Sequence, residues 1–431
     1  MRRNIFLIAL VLLPAILVFA AGEQEGGEEQ ITITVWDFKY GEVDGMQPAM
    51  QEIDRQFMEK HPNIKIEHEA QPNNEYYNII RAAVTSGEGP DVVMFHGGPL
   101  AYQFDEFQVN LDPYIEEWRD EVPDFTWAKA SRDIDPSNGV KVIPLTNQGG
   151  GYYYNKEMFR EAGLDPDDPP SDWDEFLAAA EALDSAGITP ILYGRPKSPE
   201  FFYRTTLPNI HGPEGAEAYA TGERTFDDPG FRQATEMMVE IRDRGYFDRE
   251  GYSMTYFMET RDAFMAGKGA MVAGLISDVA HWKDFSDALG AENVGYFPSI
   301  NVPGAPHQDM QHTQGVGIGY AVMSWSENVD AAAEYAMYYG RGEGAKTLME
   351  MTGAMPANTA LDIGEFGDSY PVLEDILGYM RGGTTDIFAG FVPGPIVRDV
   401  LPRMADLLIV AEEITVDEYV DRLDREFAEA R

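Results

Sequence analysis

The stretch that decides the fold covers residues 144–174 and reads PLTNQGGGYYYNKEMFREAGLDPDDPPSDWD. Its first half predicts a strand that ends at Asn155, and the following residues predict a short helix that stops at Gly163. A Pro-rich turn comes next. A second helix is expected to start at the cap residue Ser171, with Trp173 and Phe176 on its buried stripe. This order of elements indicates an α/β protein.

The residues before this stretch alternate between predicted strands and helices. Residues 31–35 are β-branched, residues 64–66 alternate, and residues 91–95 read DVVMF, with apolar residues at helical spacing between them. This rhythm is typical of a parallel sheet with helices on both faces. Ligands bind outside the carboxyl ends of such strands, where Trp36, Asp37 and His96 are expected.

Length and charge limit the classes of function. The chain has 431 residues, of which 44% are hydrophobic, and this exceeds what one core usually holds, so two domains are expected. Its formal net charge is −42. Such a surface repels nucleic acid and anionic lipid, and it makes an uncharged ligand the simpler expectation.

The N-terminal residues predict export. Arg2 and Arg3 precede an apolar run over residues 5–19, and small residues surround a cleavage site near Ala20. Residues 1–20 are therefore predicted to be a signal peptide, and residues 21–30 a disordered acidic leader. The chain has no cysteine, which excludes disulfides, thiolate sites and a lipid anchor on cysteine. A periplasmic protein without a membrane anchor is expected.

Several motifs along the chain carry a resemblance to a known family. They are YNKxxFxxAGL at residues 154–164, GPDVV at 89–93, FMAGKGAMVAG at 264–274, GYAV at 319–322 and MPA at 355–357. In this order they resemble the extracellular solute-binding proteins of ABC importers, of the sugar-binding, maltodextrin-binding-like type.

The resemblance implies a two-lobe periplasmic-binding-protein fold, in which each lobe is a mostly parallel sheet flanked by helices. It implies an N-terminal lobe of residues 31–145 with 277–323, and a C-terminal lobe of residues 146–276 with 324–431. Three crossings, near residues 146–148, 275–277 and 323–326, would form the hinge. The implied function is capture of a carbohydrate and its delivery to the transmembrane subunits of a permease, by a monomer with no cofactor, no metal and no catalysis.

Candidate ligand contacts are the aromatic and planar polar residues at the predicted strand ends and crossings, because such groups match sugar ring faces and hydroxyls. They are Trp36, Asp37, His96, Asn147, Gln148, Tyr203, Leu275, Gln314, Phe388 and Phe391. The aromatic candidates could equally be core residues, and Asn147 or His96 could instead hold backbone. Leu275 stands near a position where many sugar-binding relatives have a tryptophan, which argues against a wide aromatic sandwich.

Other classes of function stay open at this point. The chain has neither a Gly-x-Ser-x-Gly elbow nor a His-Glu-x-x-His motif. Its 74 acidic residues could still supply a pair of carboxylates for glycoside hydrolysis. The alternatives are a secreted carbohydrate-active enzyme and a binding protein for a polyol or a peptide.

Overall fold

The computed structural model describes residues 30–41, 45–72, 75–123, 126–127, 139–195, 198–212, 215, 218–219, 223–254, 258–277, 281–308, 313–381, 384–385 and 400–430. The predicted signal peptide and almost all of the predicted acidic leader lie outside these residues.

The strands belong to two sheets. In chain order they are β1 Ile31–Asp37, β2 Ile64–Ala70, β3 Val92–His96, β4 Ile143–Pro144, β5 Asn147–Asn155, β6 Ile191–Leu192, β7 Met271–Ile276, β8 Val294–Phe297, β9 Thr313–Val316, β10 Ile318–Val322 and β11 Thr384–Thr385.

The helices lie between and around these strands. They are α1 Met46–Lys60, α2 Tyr76–Ser86, α3 Pro99–Tyr102, α4 Asp112–Ile115, α5 Lys156–Glu161, α6 Trp173–Ser185, α7 Ser198–His211, α8 Pro229–Asp243, α9 Met258–Met265, α10 His281–Leu289, α11 Val329–Gly340, α12 Gly342–Thr352, α13 Gly364–Ser369, α14 Pro371–Arg381, α15 Leu401–Ala405 and α16 Val416–Ala430.

The first sheet has the strand order β2-β1-β3-β10-β4. β1 pairs in parallel with β2 and with β3, whereas β10 runs antiparallel to β3 and to β4. The strand–helix rhythm predicted for residues 31–96 is present as β1-α1-β2-α2-β3. The carboxyl ends of β1 and β3, at Asp37 and His96, therefore lie at the same edge of the sheet.

The second sheet is built around β5. Its order is β11-β9-β5-β7-β6, and β8 also pairs with β5. All three partners of β5 are antiparallel to it, so this sheet is mixed instead of mostly parallel. For β9 the reason is that the chain enters the second lobe along β5 and leaves it along the neighbouring β9, which runs in the opposite direction. The predicted α/β class with two sheets flanked by helices is confirmed.

Local sequence sets the ends of the helices that follow β5. The side chain of Asn155 accepts hydrogen bonds from the backbone N–H groups of Glu157 and Met158, which caps α5. Asp172, and not the predicted Ser171, caps α6, because its carboxylate accepts from the N–H of Glu175. Ser171 instead donates its hydroxyl to the side chain of Glu175 at 2.8 Å.

The division of the chain between lobes differs from the prediction. The core of the first lobe contains residues of α11 and α12, and β8 and α10 pack in the second lobe. The chain returns to the first sheet between β9 and β10, at Gly317, and β7 is an internal strand of the second lobe. Apolar strands such as β7 look alike in sequence whether they cross between lobes or stay within one.

Two apolar layers cover the second sheet. Tyr152, Tyr154 and Leu275 belong to one core cluster, and Tyr153 and Ile276 belong to the other. This alternation follows from the two-residue period of a strand. A third cluster fills the first lobe. None of the helices in the described part of the chain is long and apolar enough to cross a membrane.

Candidate functional site

The two lobes meet where three chain segments run side by side. The N–H of Leu145 donates to the carbonyl of Ile318 at 3.0 Å, and the N–H of Gly317 donates to the carbonyl of Thr146 at 2.8 Å. On the other side, the N–H of Asn147 donates to the carbonyl of Met355 at 2.9 Å. The crossing predicted near residues 146–148 is present, and its partners are the segments around residues 317 and 355–357.

The edge of the first sheet touches this crossing through Gly97. Its N–H donates to the carbonyl of Gly317 at 3.2 Å. A Cβ added to Gly97 would lie 1.8 Å from Cγ1 of Val316 and 2.6 Å from its carbonyl oxygen, so only glycine fits here. The loop after β3 is thus pressed against the strand that joins the lobes.

His96 lies at this edge with an aromatic neighbour on each side. Its ring stacks on Phe38 with a centroid distance of 4.4 Å, and its Nδ1 lies 2.9 Å from the hydroxyl of Tyr77. The backbone N–H of His96 also donates to that hydroxyl, at 3.2 Å. The half-buried imidazole is therefore held in place beside the crossing.

Asn147 and Gln148 are adjacent but have different surroundings. Asn147 is fully buried, its Nδ2 donates to the carbonyl of Pro356 at 3.1 Å, and its Oδ1 accepts from the hydroxyl of Thr126 at 2.7 Å. Its amide fastens the crossing segments. Gln148 is half-buried, and its side chain has no hydrogen bond to the rest of the described chain, which leaves the amide available to a ligand.

Trp36 lies one residue before the end of β1. It is half-buried against the core of the first lobe, and its Nε1 donates to the carboxylate of Glu69 at 3.0 Å. Glu69 is its register partner on β2. The indole therefore pairs with the neighbouring strand.

Asp37 is fully buried, and its carboxylate is used inside the first lobe. Oδ2 accepts from the hydroxyl of Tyr320 at 2.9 Å and lies 3.3 Å from Nε2 of His68, whereas Oδ1 accepts from the N–H of Tyr40 at 3.1 Å. The position of Asp37 at the strand end agrees with the prediction, but its side chain is not presented to a ligand.

Two of the second-lobe candidates, Tyr203 and Leu275, belong to the core of that lobe. Tyr203 is fully buried, stacks on Phe231 at 4.6 Å and shares its hydroxyl with Thr235 at 2.9 Å, so it is a core residue. Leu275 is also buried, in the core cluster beside α7. The backbone of Gln314 belongs to β9 and pairs with Gly149. Phe388 and Phe391 lie outside the described residues.

Several residues around the edge were not among the candidates predicted from the sequence. Phe38 and Tyr77 flank His96, and His68 and Asp54 lie behind Asp37. A signal for His68 was present: Ile64, Ile66 and His68 share one face of β2, so a histidine on a buried face needs a polar partner. Its partners could not be named because α1 lies elsewhere in sequence.

Burial, hydrogen bonds and nearby charges shift the pKa values of His68 and Tyr320. Burial alone would lower the pKa of His68, but the hydrogen bonds to Asp37 and Asp54 outweigh it and raise that pKa to about 9. The pKa of Tyr320 is raised well above its usual value by burial and by the charge of Asp37. In the described residues no group of three His, Asp or Glu side chains could hold a metal ion.

Comparison with known proteins identifies the family of this chain. The family model described as bacterial extracellular solute-binding protein matches residues 52–373, which is more than half of the chain. The chain belongs to the bacterial extracellular solute-binding proteins. A solute-binding protein of this family is a component of ABC transport, and the relatives described below are named as binding proteins.

Two relatives and one solved structure illustrate the range of these solute-binding proteins. An uncharacterised ABC transporter extracellular-binding protein of Pyrococcus horikoshii is 21% identical over 90% of this chain and 84% of its own length. The sn-glycerol-3-phosphate-binding periplasmic protein of Salmonella paratyphi A is 24% identical over 50% of this chain and 49% of its own length. A chitin oligosaccharide binding protein has the same fold, with a TM-score of 0.74, 19% identity, and coverage of 93% of this chain and 99% of that one.

Proposed function

We propose that this solute-binding protein captures a carbohydrate between its two lobes in the periplasm and delivers it to the transmembrane subunits of an ABC permease. The observation that carries the proposal is the edge at the lobe crossing. There the half-buried ring of His96, packed on the buried Phe38, lies beside the crossing strand, and the side chain of Gln148 has no hydrogen-bond partner among the described residues. A half-buried imidazole and an open amide are groups that bond sugar hydroxyls.

The crossing also supports a hinge motion. Three segments join the lobes, and a ligand that contacts both lobes would stabilise the closed arrangement over the open one. The solved relative that shares this fold binds chitin oligosaccharide. The proposal is that closure is the signal that the permease recognises, and that the ligand is released chemically unchanged.

The charge of the chain favours a neutral ligand over a phosphate. Its net charge is −42, and an anionic ligand would need a local basic site to overcome that repulsion. The similarity to the glycerol-3-phosphate-binding protein nevertheless covers half of the chain, so this ester is the second candidate and needs its own arm in the test.

The test is a thermal-shift panel on the mature protein. It contains chitotriose, maltotriose, xylotriose, galactose, sn-glycerol-3-phosphate, glycerol and a tripeptide. A ligand at 100 times its dissociation constant adds about 2.7 kcal/mol to stability, which shifts Tm by at least a few degrees. A shift with a sugar alone supports the proposal; a shift with the phosphate ester or the peptide alone overturns the carbohydrate assignment.

Two further measurements on the same hit complete the test. Small-angle scattering should show a smaller radius of gyration when the sugar is present, since closure brings the lobes together. Overnight incubation followed by an assay for reducing ends should show no new ends. New reducing ends would identify a carbohydrate-active enzyme instead of a carrier.

A further inference from the structure

A charged cluster lies buried behind the edge that carries Phe38 and His96. Asp37 and Asp54 are 0% and 6% exposed, and the side chain of His68 is 3% exposed. Burying three ionisable groups is costly unless each is paired and hydrogen-bonded. The pairing of these three groups inside the first lobe therefore needs a structural or functional reason.

The hydrogen bonds of His68 define its charge. Nε2 lies 3.3 Å from Oδ2 of Asp37, and Nδ1 lies 3.0 Å from Oδ2 of Asp54. Carboxylates only accept hydrogen bonds, so both ring nitrogens must donate and the imidazole carries a positive charge. Both carboxylates are also bonded by tyrosine hydroxyls, from Tyr320 to Asp37 and from Tyr335 and Tyr339 to Asp54.

The cluster is joined directly to the loop after β1. The other carboxylate oxygen of Asp37, Oδ1, accepts hydrogen bonds from the backbone N–H groups of Lys39 and Tyr40. The ring of Tyr40 stacks on the imidazole of His68 with a centroid distance of 4.4 Å. Two independent contacts from one buried pair, Asp37 and His68, thus determine the course of residues 37–40.

The same loop carries Phe38, whose ring stacks on His96. His96 is followed by Gly97, whose N–H is bonded to the crossing at Gly317. An unbroken series of contacts therefore leads from His68 through Asp37 and Phe38 to the place where the lobes join.

We propose that His68 is a positioning residue of the binding site, whose bonds to Asp37 and Asp54 hold the loop of residues 37–40 so that the buried ring of Phe38 keeps the half-buried His96 in place to meet the ligand. This deepens the proposed function and rests on it for the ligand. His68 itself touches no ligand. The groups that face it are Asp37 and Tyr40 from β1 and its loop, Asp54 from α1, Tyr320 from β10 and Tyr335 from α11.

The first test measures the loop and needs no ligand. Amide hydrogen exchange at Lys39 and Tyr40 is compared in the wild type, in His68→Gln and in the control His61→Gln, which alters another histidine of the first lobe, 3.7 Å from Glu334. We expect protection of both amides to fall at least tenfold in His68→Gln and to stay within twofold in His61→Gln. The wild type should lose the same protection as the pH rises past about 9. Unchanged protection in His68→Gln would overturn the proposal.

The second test measures binding of the sugar that gives the largest thermal shift in the panel. Affinity should fall about 5- to 50-fold in His68→Gln and stay unchanged in His61→Gln. Faster exchange with full affinity would show that the loop is irrelevant to the ligand and would overturn the proposal. If no sugar binds the wild type, the proposed function fails while the exchange experiment still decides whether His68 holds the loop.

A milder variant guards against misfolding. Tyr320→Phe removes one hydroxyl donor from Asp37, at 2.9 Å, and leaves His68 in place. We expect it to change exchange and affinity in the same direction as His68→Gln but by a smaller factor. If His68→Gln does not fold, an unaltered exchange and affinity in Tyr320→Phe would count against the proposal.

Discussion

The side-chain amide of Asn147 donates to the backbone carbonyl of Pro356, 3.1 Å away, and thereby fastens the first crossing of the chain to the last. Its oxygen accepts from the buried hydroxyl of Thr126. Asn147→Ala would leave these buried groups without partners, so we expect a loss of about 1–3 kcal/mol in the free energy of unfolding. Urea denaturation of the variant and the wild type measures it.

Gln148 is the matched control for Asn147, because its side chain is expected to affect ligand affinity and not stability. Its half-buried amide has no partner in the described chain, so Gln148→Ala should change stability by less than about 0.5 kcal/mol. If its amide contacts the sugar, binding should weaken by about 1–3 kcal/mol, which calorimetry can detect. Full affinity in Gln148→Ala would remove this residue from the site.

Gly97 is expected to tolerate no side chain. A Cβ there would overlap Val316, and both the backbone and the side chain of Val316 are in the way. Gly97→Ala should therefore destabilise the protein by about 1–3 kcal/mol and weaken ligand binding, since it displaces the loop from the crossing. Gly378→Ala is the control, because nothing lies within 4 Å of a Cβ at this position in α14. It should be neutral or stabilising by up to about 1 kcal/mol. Equal stability of the two variants would contradict the packing described for Gly97.

Stability should depend on pH through His68. Burial opposes its charge, but Asp37 and Asp54 raise its pKa from 6.5 to about 9 in the folded protein. The folded state thus holds this proton more tightly than the unfolded state. Its contribution is complete below about pH 6.5 and is lost as the pH rises through about 9. We expect about 1–3 kcal/mol between these limits.

Denaturation at pH 6.5 and 9.5 measures this contribution. In His68→Gln the difference between the two pH values should shrink by the same amount, because the other titrating groups are unchanged. An identical pH profile in both proteins would show that His68 is neutral in the fold.

Substitution of Trp282 tests whether this tryptophan is a core residue or stacks on the ligand. The indole is fully buried, and its Nε1 donates to the carbonyl of Gly353 at 2.8 Å. Trp282→Phe should lower stability by about 1–3 kcal/mol through the lost hydrogen bond and the smaller ring. Sugar affinity should be unaffected. A large loss of affinity without a loss of stability would place this residue in the binding site instead.

Local pattern was sufficient for much of the fold. The alternation of β-branched strands with apolar helical stripes predicted β1 to β3 with α1 and α2, and the stretch of residues 144–174 predicted the strand and the two helices. These features depend on neighbours within a few residues, where strand and helix periods and turn residues act. The same motifs led to the solute-binding family.

Contacts between distant parts of the chain decide which elements pair and which groups their side chains bond to. Asp37 and Asn147 stand where a ligand contact was expected, yet each turns inward, to Tyr320 or to Pro356, more than 200 positions away. Likewise β8 pairs with β5 in the second lobe, although its sequence is compatible with either lobe. A residue's type states what it can bond to, but which group comes within 3 Å depends on how distant segments pack, and that is a property of the folded chain as a whole.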